Sequence, residues 1–345
     1  MSERLREDWS RNERDSASSV GTESESGSYY APIVHIVEAA DAGRTVRDVI
    51  KNRMGISRRL MIKLRTAEEG LSVNGRRAWT KDRVTTGDRI ELRMLEEQSE
   101  TIFPQPMELD IVFEDDHLLV VNKPAGLIVH PTSGHYLNTL ANGVVHHWNE
   151  RGERIRFRPV HRLDEHTSGL VVIAKNQYAN QQMASQMMQG GMEKRYRAYV
   201  YGKPPLTEGE VNEPIGRSSD DPHRRIVRED GAASLTFYRL ANEYECGASA
   251  MDIRLGTGRT HQIRVHMLHI GCPLIGDGYY VDERLSYSPL SVKLADVIER
   301  QALHAVELAF DHPVSGERMR LTASLPEDLL RLEQELAANT RGEPS

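Results

Sequence analysis

The sequence predicts an α+β fold, a largely antiparallel mixed sheet with helices at irregular intervals, preceded by a small basic α/β module. Three observations carry this prediction. From Met107 onward, short apolar runs follow one another too irregularly for a strand–helix–strand repeat, and several adjoin as hairpins. Positive charge is concentrated in one stretch: residues 44–93 hold 14 Lys/Arg against 6 Asp/Glu, in a chain of 345 residues whose net charge is −7. Between these regions, Glu97 to Pro106 is polar and carries two prolines, as a linker does.

The elements follow in order. Residues 1–30 are rich in Ser, Glu, Asp and Arg without apolar period, and predict a disordered tail. In the basic stretch Val46, Val49 and Ile50 lie at helical spacing, and Ser57 can cap a second helix through Leu60, Met61 and Leu64. Leu71 to Gly75 reads as a strand ending in an Asn-Gly turn, and Val84 to Leu92 as a Gly-Asp turn and strand. Arg58, Arg59, Lys63 and Arg65 crowd the second helix, forming a basic face suited to a polyanion. A solvated helix surface would show the same charge. In the larger domain, strands are expected at 108–114, 117–122, 169–175, 195–201, 234–241, 248–255, 304–310 and 318–323. Helices are expected at 137–148, 177–189, 260–270, 288–300 and 326–337.

Composition narrows the function. Hydrophobic residues make up 39% and charged residues 28%, ordinary for a water-exposed globular chain. No apolar run approaches the roughly 18–20 residues that span a bilayer, and the first residues lack a secretory core, so no membrane association and a cytoplasmic location are expected. Cys246 and Cys272 have no metal or redox spacing and read as reduced thiols. No Gly-x-Gly-x-x-Gly follows a strand, which argues against a dinucleotide enzyme. The histidines 161, 166, 261, 266 and 269 fit no zinc signature, so no metal is expected.

Three segments carry chemistry. The run Glu114 to Gly126 is a strand closed by a Lys-Pro-Ala-Gly turn. His161-Arg162-Leu163-Asp164-Glu165-His166 lies directly against an apolar strand, which fixes polar side chains at the mouth of a rigid element. In Gly256 to His266, Thr260 can cap a helix whose Ile263, Met267 and Ile270 form a buried stripe stopped by Gly271. Taken singly, an Asp after Leu is a turn residue, Arg264 a surface arginine and Tyr196 a strand residue with a buried ring.

Taken together, the residues 107–325 resemble the RluA family of pseudouridine synthases, in which His-Arg-Leu-Asp carries the catalytic aspartate. Lys194-Arg195-Tyr196-Arg197-Ala198-Tyr199-Val200-Tyr201-Gly202, Arg300-Gln301-Ala302-Leu303-His304-Ala305 and His312-Pro313 extend the match in order. The basic module resembles the small RNA-binding domain, of S-four type, shared by a ribosomal small-subunit protein and tyrosyl-tRNA synthetases. Ala67-Glu68-Glu69 departs from it by placing two acids before the strand. The chain then divides into a tail (1–30), the S-four-like domain (31–95), a linker (96–106), a pseudouridine synthase catalytic domain (107–338) and a C-terminal tail (339–345).

The resemblance implies isomerisation of uridine without cofactor: the base leaves its sugar carbon, turns, and reattaches through carbon. Asp164 is the implied catalytic carboxylate, near the sugar as carboxylates are in glycosidases. Arg264 is the implied cation that keeps it ionised, and Tyr196 stacks on the base and assists proton removal. Arg162 is expected to fill the gap left by the flipped nucleotide and contact phosphate. His161 and Arg259 are expected to contact RNA as well. The family carries a basic residue then an acid after its aspartate; Glu165 and His166 depart from that and put local phosphate contacts in question. The expected partner is RNA, large-subunit ribosomal RNA first and transfer RNA second, with the protein a monomer lacking an obligate protein partner. The alternatives are a catalytically inert RNA-binding or ribosome-assembly protein, and a nucleobase hydrolase that releases free uracil.

Overall fold

A computed structural model describes residues 28–132, 134–282 and 288–338, so the two predicted tails lie almost wholly outside the described residues. The basic module comes first. Strand β1 (Ile33–Ile36) leads into helix α1 (Val46–Asn52), where Thr45 and Asp48 cap the first turn reciprocally. Helix α2 (Arg58–Thr66) starts at Ser57, whose hydroxyl accepts the Leu60 amide as expected. Strands β2 (Leu71–Val73), β3 (Arg76–Arg77) and β4 (Arg89–Leu92) complete an antiparallel sheet in the order β1-β4-β2-β3. Asn74 and Gly75, both at positive φ (52° and 75°), make the tight hairpin turn that their sequence announces. Strand β1 was not anticipated: its outward residues Val34 and Ile36 are apolar too, which erases the alternation that marks a strand.

The large domain contains β5 (Ile111–Glu114), β6 (Leu118–Lys123), helix α3 (Leu140–Glu150), β7 (Ser168–Ala174), helix α4 (Gln177–Gln189) and β8 (Glu193–Tyr201). Then come β9 (Glu208–Val211), β10 (Ile215–Arg217), β11 (Arg225–Val227), β12 (Thr236–Tyr244) and β13 (Ala248–Leu255). Helices α5 (Gln262–His269) and α6 (Pro289–Ala295), strands β14 (Leu303–Asp311) and β15 (Arg318–Thr322), and helix α7 (Glu327–Ala338) complete it. One sheet runs β5-β6-β7-β14-β8-β13-β12-β9, with β15 on the far part of β14. Every pairing is antiparallel except β7 with β14. Each expected element of this domain has a counterpart; β9, β10 and β11 are additional. Helix α6 is shorter than expected, seven residues where 288–300 was read.

The two regions share apolar packing. One buried cluster runs from Ile33, Val49 and Leu64 of the basic module to Leu140, Trp148 and Val171 of the large domain. Polar contacts reinforce the junction: the Tyr30 hydroxyl donates to the Arg154 carbonyl (3.1 Å), and the Ser57 amide donates to Gln181 (2.9 Å). Glu97, in the segment read as a linker, is anchored by Lys63 (3.0 Å), Arg158 and Gln177. Among the described residues no helix is long and apolar enough to cross a membrane.

The single parallel pairing fixes where the 161–167 loop enters the sheet. It opposes Ser168 to His304 and Gly169 to Ala305. Gly169 has φ +115°, and a Cβ there would lie 2.4 Å from the Ala305 carbonyl oxygen. Backbone meets backbone, so no side chain can move aside. Gly169→Ala should therefore cost about 2–4 kcal/mol of unfolding free energy in urea titrations, from strain plus overpacking. Gly126→Ala, also at positive φ but with open space around it, should cost only about 1 kcal/mol. Equal costs for the two variants would show that the close approach of the strands does not matter.

Candidate active site

The 161–167 loop borders a cleft of about 960 Å³ that also receives the ends of β8 and β13, the 256–261 turn and the start of α5. The loop is held from below by the lysine of the Lys-Pro-Ala-Gly turn, whose role its sequence does not state. Lys123 is fully buried, and its ammonium donates to the carbonyls of Pro124 (2.9 Å), Leu127 (2.7 Å) and Glu165 (2.9 Å). Burial, with help from the nearby Arg300 charge, lowers its pKa to about 7. The Gly126 amide donates to the same Glu165 carbonyl (3.0 Å). The Lys-Pro-Ala-Gly turn is thus a clamp on the residue after Asp164. From the other side Arg300 donates to the His166 carbonyl (3.1 Å) and Gln301 to the Thr167 hydroxyl (3.2 Å). Because Glu165 is gripped by its backbone and its side chain is exposed, the unusual carboxylate there is compatible with the loop.

Asp164 presents a carboxylate that is 26% exposed to the cleft. Arg264 Nη1 lies 3.4 Å from its Oδ2, and His261 Nε2 4.0 Å. Arg264 is the cation beside Asp164, as the resemblance implies, but it gives Asp164 only one nitrogen. The fork of Arg264 closes instead on Asp277, at 2.7 Å from Nε and 2.8 Å from Nη2, leaving Nη1 for Asp164. The Asp277 side chain is fully buried and also accepts the amides of Tyr279 and Tyr280 (3.0 Å each). Burial opposes its ionisation, but Arg264 and the two amides outweigh burial and hold its pKa below the ordinary carboxylate value. The Arg264 guanidinium also sits 4.7 Å from the Tyr280 ring centre, a cation–π contact. Tyr280 in turn meets His261 Nδ1 through its hydroxyl (2.7 Å).

Helix α5 delivers Arg264 by a route other than the one expected. Thr260 is not its cap. His261 occupies that position with φ 58°, a left-handed conformation, and makes no side-chain cap bond. The entry is closed by Gln262, whose Oε1 accepts the Arg259 amide (2.9 Å) and the Thr257 hydroxyl (2.8 Å). The expected stripe is also a simplification: residues 262–267 are all buried, Arg264 included, whereas Ile270 is half-buried.

Tyr196, on β8, lines the cleft with 5% exposure. Burial, then the Asp164 charge, pushes its phenol well above the ordinary value, so it stays protonated. Arg162 and Arg259 are exposed at the cleft, Arg259 with its Nε donating to the Ala233 carbonyl (3.2 Å). His161, expected to meet RNA, is turned inward: its Nε2 accepts the Val172 amide (3.3 Å), and burial lowers its pKa to about 3. It remains neutral and braces the loop. Arg58, Arg59, Lys63 and Arg65 are exposed on α2, outside the cleft lining. Among the described residues no group of His, Cys, Asp and Glu is arranged to hold a metal.

Asp277 and Arg264 form the most deeply buried ion pair of the cleft, and removing one member leaves the other uncompensated. Arg264→Met should lower unfolding free energy by about 3–5 kcal/mol, with Arg264→Met/Asp277→Asn recovering a large part. Since the Asp277 pKa is depressed in the fold, its stabilisation is present above roughly pH 4 and lost as pH falls through the folded value. The stability gap between wild type and Asp277→Asn should accordingly close on acidification. Denaturant titrations across pH check both, and a double variant no more stable than Arg264→Met would refute the pairing argument.

Comparison with known proteins agrees with this geometry. A family model described as RNA pseudouridylate synthase matches residues 117–269, which include the Asp164 loop, Tyr196 and Arg264. A ribosomal large subunit pseudouridine synthase D from Zymomonas mobilis is 43% identical over 244 residues, 69% of this chain and 76% of that protein. An uncharacterized RNA pseudouridine synthase from Bacillus subtilis, YjbO, is 37% identical over 282 residues, 81% of this chain and 95% of its own length. Among solved structures, human RNA pseudouridylate synthase domain containing 4 superposes with TM-score 0.52 at 26% identity, covering 66% of this chain and 92% of that one. A cleft in which a half-buried aspartate, an arginine and a protonated tyrosine converge, in a chain so similar to these proteins, places it in the RluA family of RNA pseudouridine synthases.

Proposed function

We propose that the enzyme isomerises uridine in large-subunit ribosomal RNA, with Asp164 as its catalytic carboxylate. The observation that carries the role of Asp164 is its position: a carboxylate on a loop clamped at the Glu165 and His166 carbonyls, open to the cleft, and within 3.4 Å of a single guanidinium nitrogen. The choice of ribosomal RNA is supported by the relatives whose names specify the ribosomal large subunit. Transfer RNA is the competing substrate.

In this reading an Asp164 oxygen bonds to the sugar C1′ as the N1–C1′ electron pair leaves with the uracil. The uracil anion turns, and its C5 bonds to C1′ and releases the carboxylate. The C5 proton passes to Asp164 and N1 takes up a proton, so the product is an isomer of the starting nucleotide. The single contact from Arg264 lowers the cost of a negative Asp164 without occupying it, because the fork is already engaged by Asp277. Tyr196 is assigned base stacking rather than proton removal, since a buried phenol that holds its proton is a poor base. Arg162 fills the space that the flipped nucleotide vacates.

The basic module supplies affinity in the same reading. Arg58, Arg59 and Arg65 are exposed along α2, whereas Lys63 is engaged with Glu97. We assign it the S-four type and the job of gripping phosphates away from the cleft.

Three experiments test this. Asp164→Asn should bind RNA as wild type does and lose at least ~1,000-fold in single-turnover rate; retention of more than a few per cent of the wild-type rate would remove Asp164 from the mechanism. Mapping pseudouridines across total RNA with and without the active gene identifies the substrate, and changes confined to transfer RNA would overturn the ribosomal assignment. For the module, replacing Arg58, Arg59 and Arg65 together by Ala should reduce the slope of log affinity against log salt by roughly 2, at 0.7–0.9 per phosphate contact. An unchanged slope would locate RNA binding elsewhere.

A further inference from the structure

The mechanism above leaves one buried cation unused. Lys194 lines the cleft, is 6% exposed, and among the described residues has no hydrogen-bond or ion-pair partner. Its neighbours sharpen the problem. His161 Nδ1 is buried and equally without a partner, and the imidazole is close enough to the Lys194 charge to feel it. A Cβ added to Gly258, in the turn before α5, would lie 3.1 Å from the Lys194 ammonium. The absence of a side chain at Gly258 keeps the space beside that ammonium open. The side chain is buried, its ammonium lies at the cleft with no anion beside it among the described residues, and burial lowers its pKa. Folded proteins rarely keep such a group unless a ligand compensates it.

Strand geometry says where the ligand must lie. Lys194 and Tyr196 are two residues apart on β8 and face the same side, about 7 Å from each other along the strand. If the target base stacks on Tyr196, Lys194 lies away from the base along the path of the sugar–phosphate chain. Arg254, stacked at 3.8 Å over the Phe237 ring, and Arg259 continue the positive charge around that part of the cleft.

We infer that Lys194 is a binding residue for a backbone phosphodiester flanking the target uridine, which seats the RNA so that the sugar meets Asp164. The inference rests on the reading that the target base enters this cleft. A phosphodiester is preferred to the departing uracil anion because its charge is permanent: it compensates the ammonium from the moment RNA binds. The uracil charge is transient and forms beside Tyr196, one strand repeat away.

The test uses the full chain and a large-subunit ribosomal RNA transcript that the wild-type protein isomerises. If wild type fails on this transcript, the substrate assignment fails rather than Lys194, and the series is run on total transfer RNA. Lys194→Met removes the charge at similar volume. It should weaken RNA binding on the order of tenfold at 0.1 M salt and reduce the salt slope by about 0.7. The single-turnover rate at saturating enzyme should fall by less than the affinity does, because saturation restores the bound population. Lys194→Arg should restore the slope, which guards against a folding defect in the Met variant. A lost rate with an unchanged slope would assign Lys194 to the uracil instead. Unchanged slope and rate would make it a structural lysine, and an Arg variant as impaired as the Met variant would show that shape rather than charge matters. Arg162→Ala serves as the reference: if neither Arg162→Ala nor Lys194→Met alters RNA affinity, the cleft reading itself is at fault.

Discussion

The cleft is organised by one guanidinium shared between two carboxylates. Arg264 gives its planar fork to Asp277, which is fully buried, and one remaining nitrogen to Asp164, which is not. The two acids therefore have different fates. Asp277, with two amides and two guanidinium bonds, is saturated and structural. Asp164 has one long contact and open space in front of it, so it keeps lone pairs to offer. A cation bound only to Asp164 would neutralise the reactive group and could swing away with it. A cation fixed on a second acid cannot, and its position is set before any RNA arrives.

Much of this architecture is written in the sequence, and the exceptions have physical causes. Long apolar runs such as Leu118–Val121 and Leu170–Ala174 can only be central strands, and the Asn74-Gly75 turn demands a hairpin. Asp164, Tyr196 and Arg264 were legible through their motifs, and the fold brings all three to one cleft. Strands β9, β10 and β11 were not, being only three or four residues long, too short for an alternating pattern to carry signal. The roles of Lys123 and Arg300, both in motifs visible in the sequence, and of Asp277, which is in none, are not legible there: the two cations act through backbone carbonyls, and Asp277 through Arg264. Arg300 reaches the His166 carbonyl across 134 positions. Nothing near a lysine in the sequence states that three carbonyls will surround it. The false cap at Thr260 has a related origin, since the chain uses Gln262 to satisfy the turn from inside the helix.

The basic module and the large domain are joined more firmly than a polar connecting segment suggests. Glu97 gathers Lys63, Arg158 and Gln177, and apolar packing is continuous across the junction. A module packed this way presents α2 in a fixed direction relative to the cleft. If α2 grips RNA as proposed, that RNA meets Asp164 at a set distance, and the geometry of the junction then bears on which uridine is reached.

The parallel pairing of β7 with β14 has a consequence for how the enzyme comes into being. Asp164 is followed at once by β7, yet the strand that β7 pairs with in parallel begins at Leu303, and Ser168 finds His304 across 136 positions. Closing so large a loop is entropically slow, and it must precede the contacts that reward it. During synthesis the catalytic loop therefore emerges long before Arg300, Gln301 and Ala305 exist to hold it. Until they do, Asp164 sits on a segment held from the Lys123 side alone, beside an incomplete sheet. A nascent chain of this kind, made next to abundant ribosomal RNA, has no assembled cleft to act with. The cleft is complete only once about the last eighth of the polypeptide has emerged.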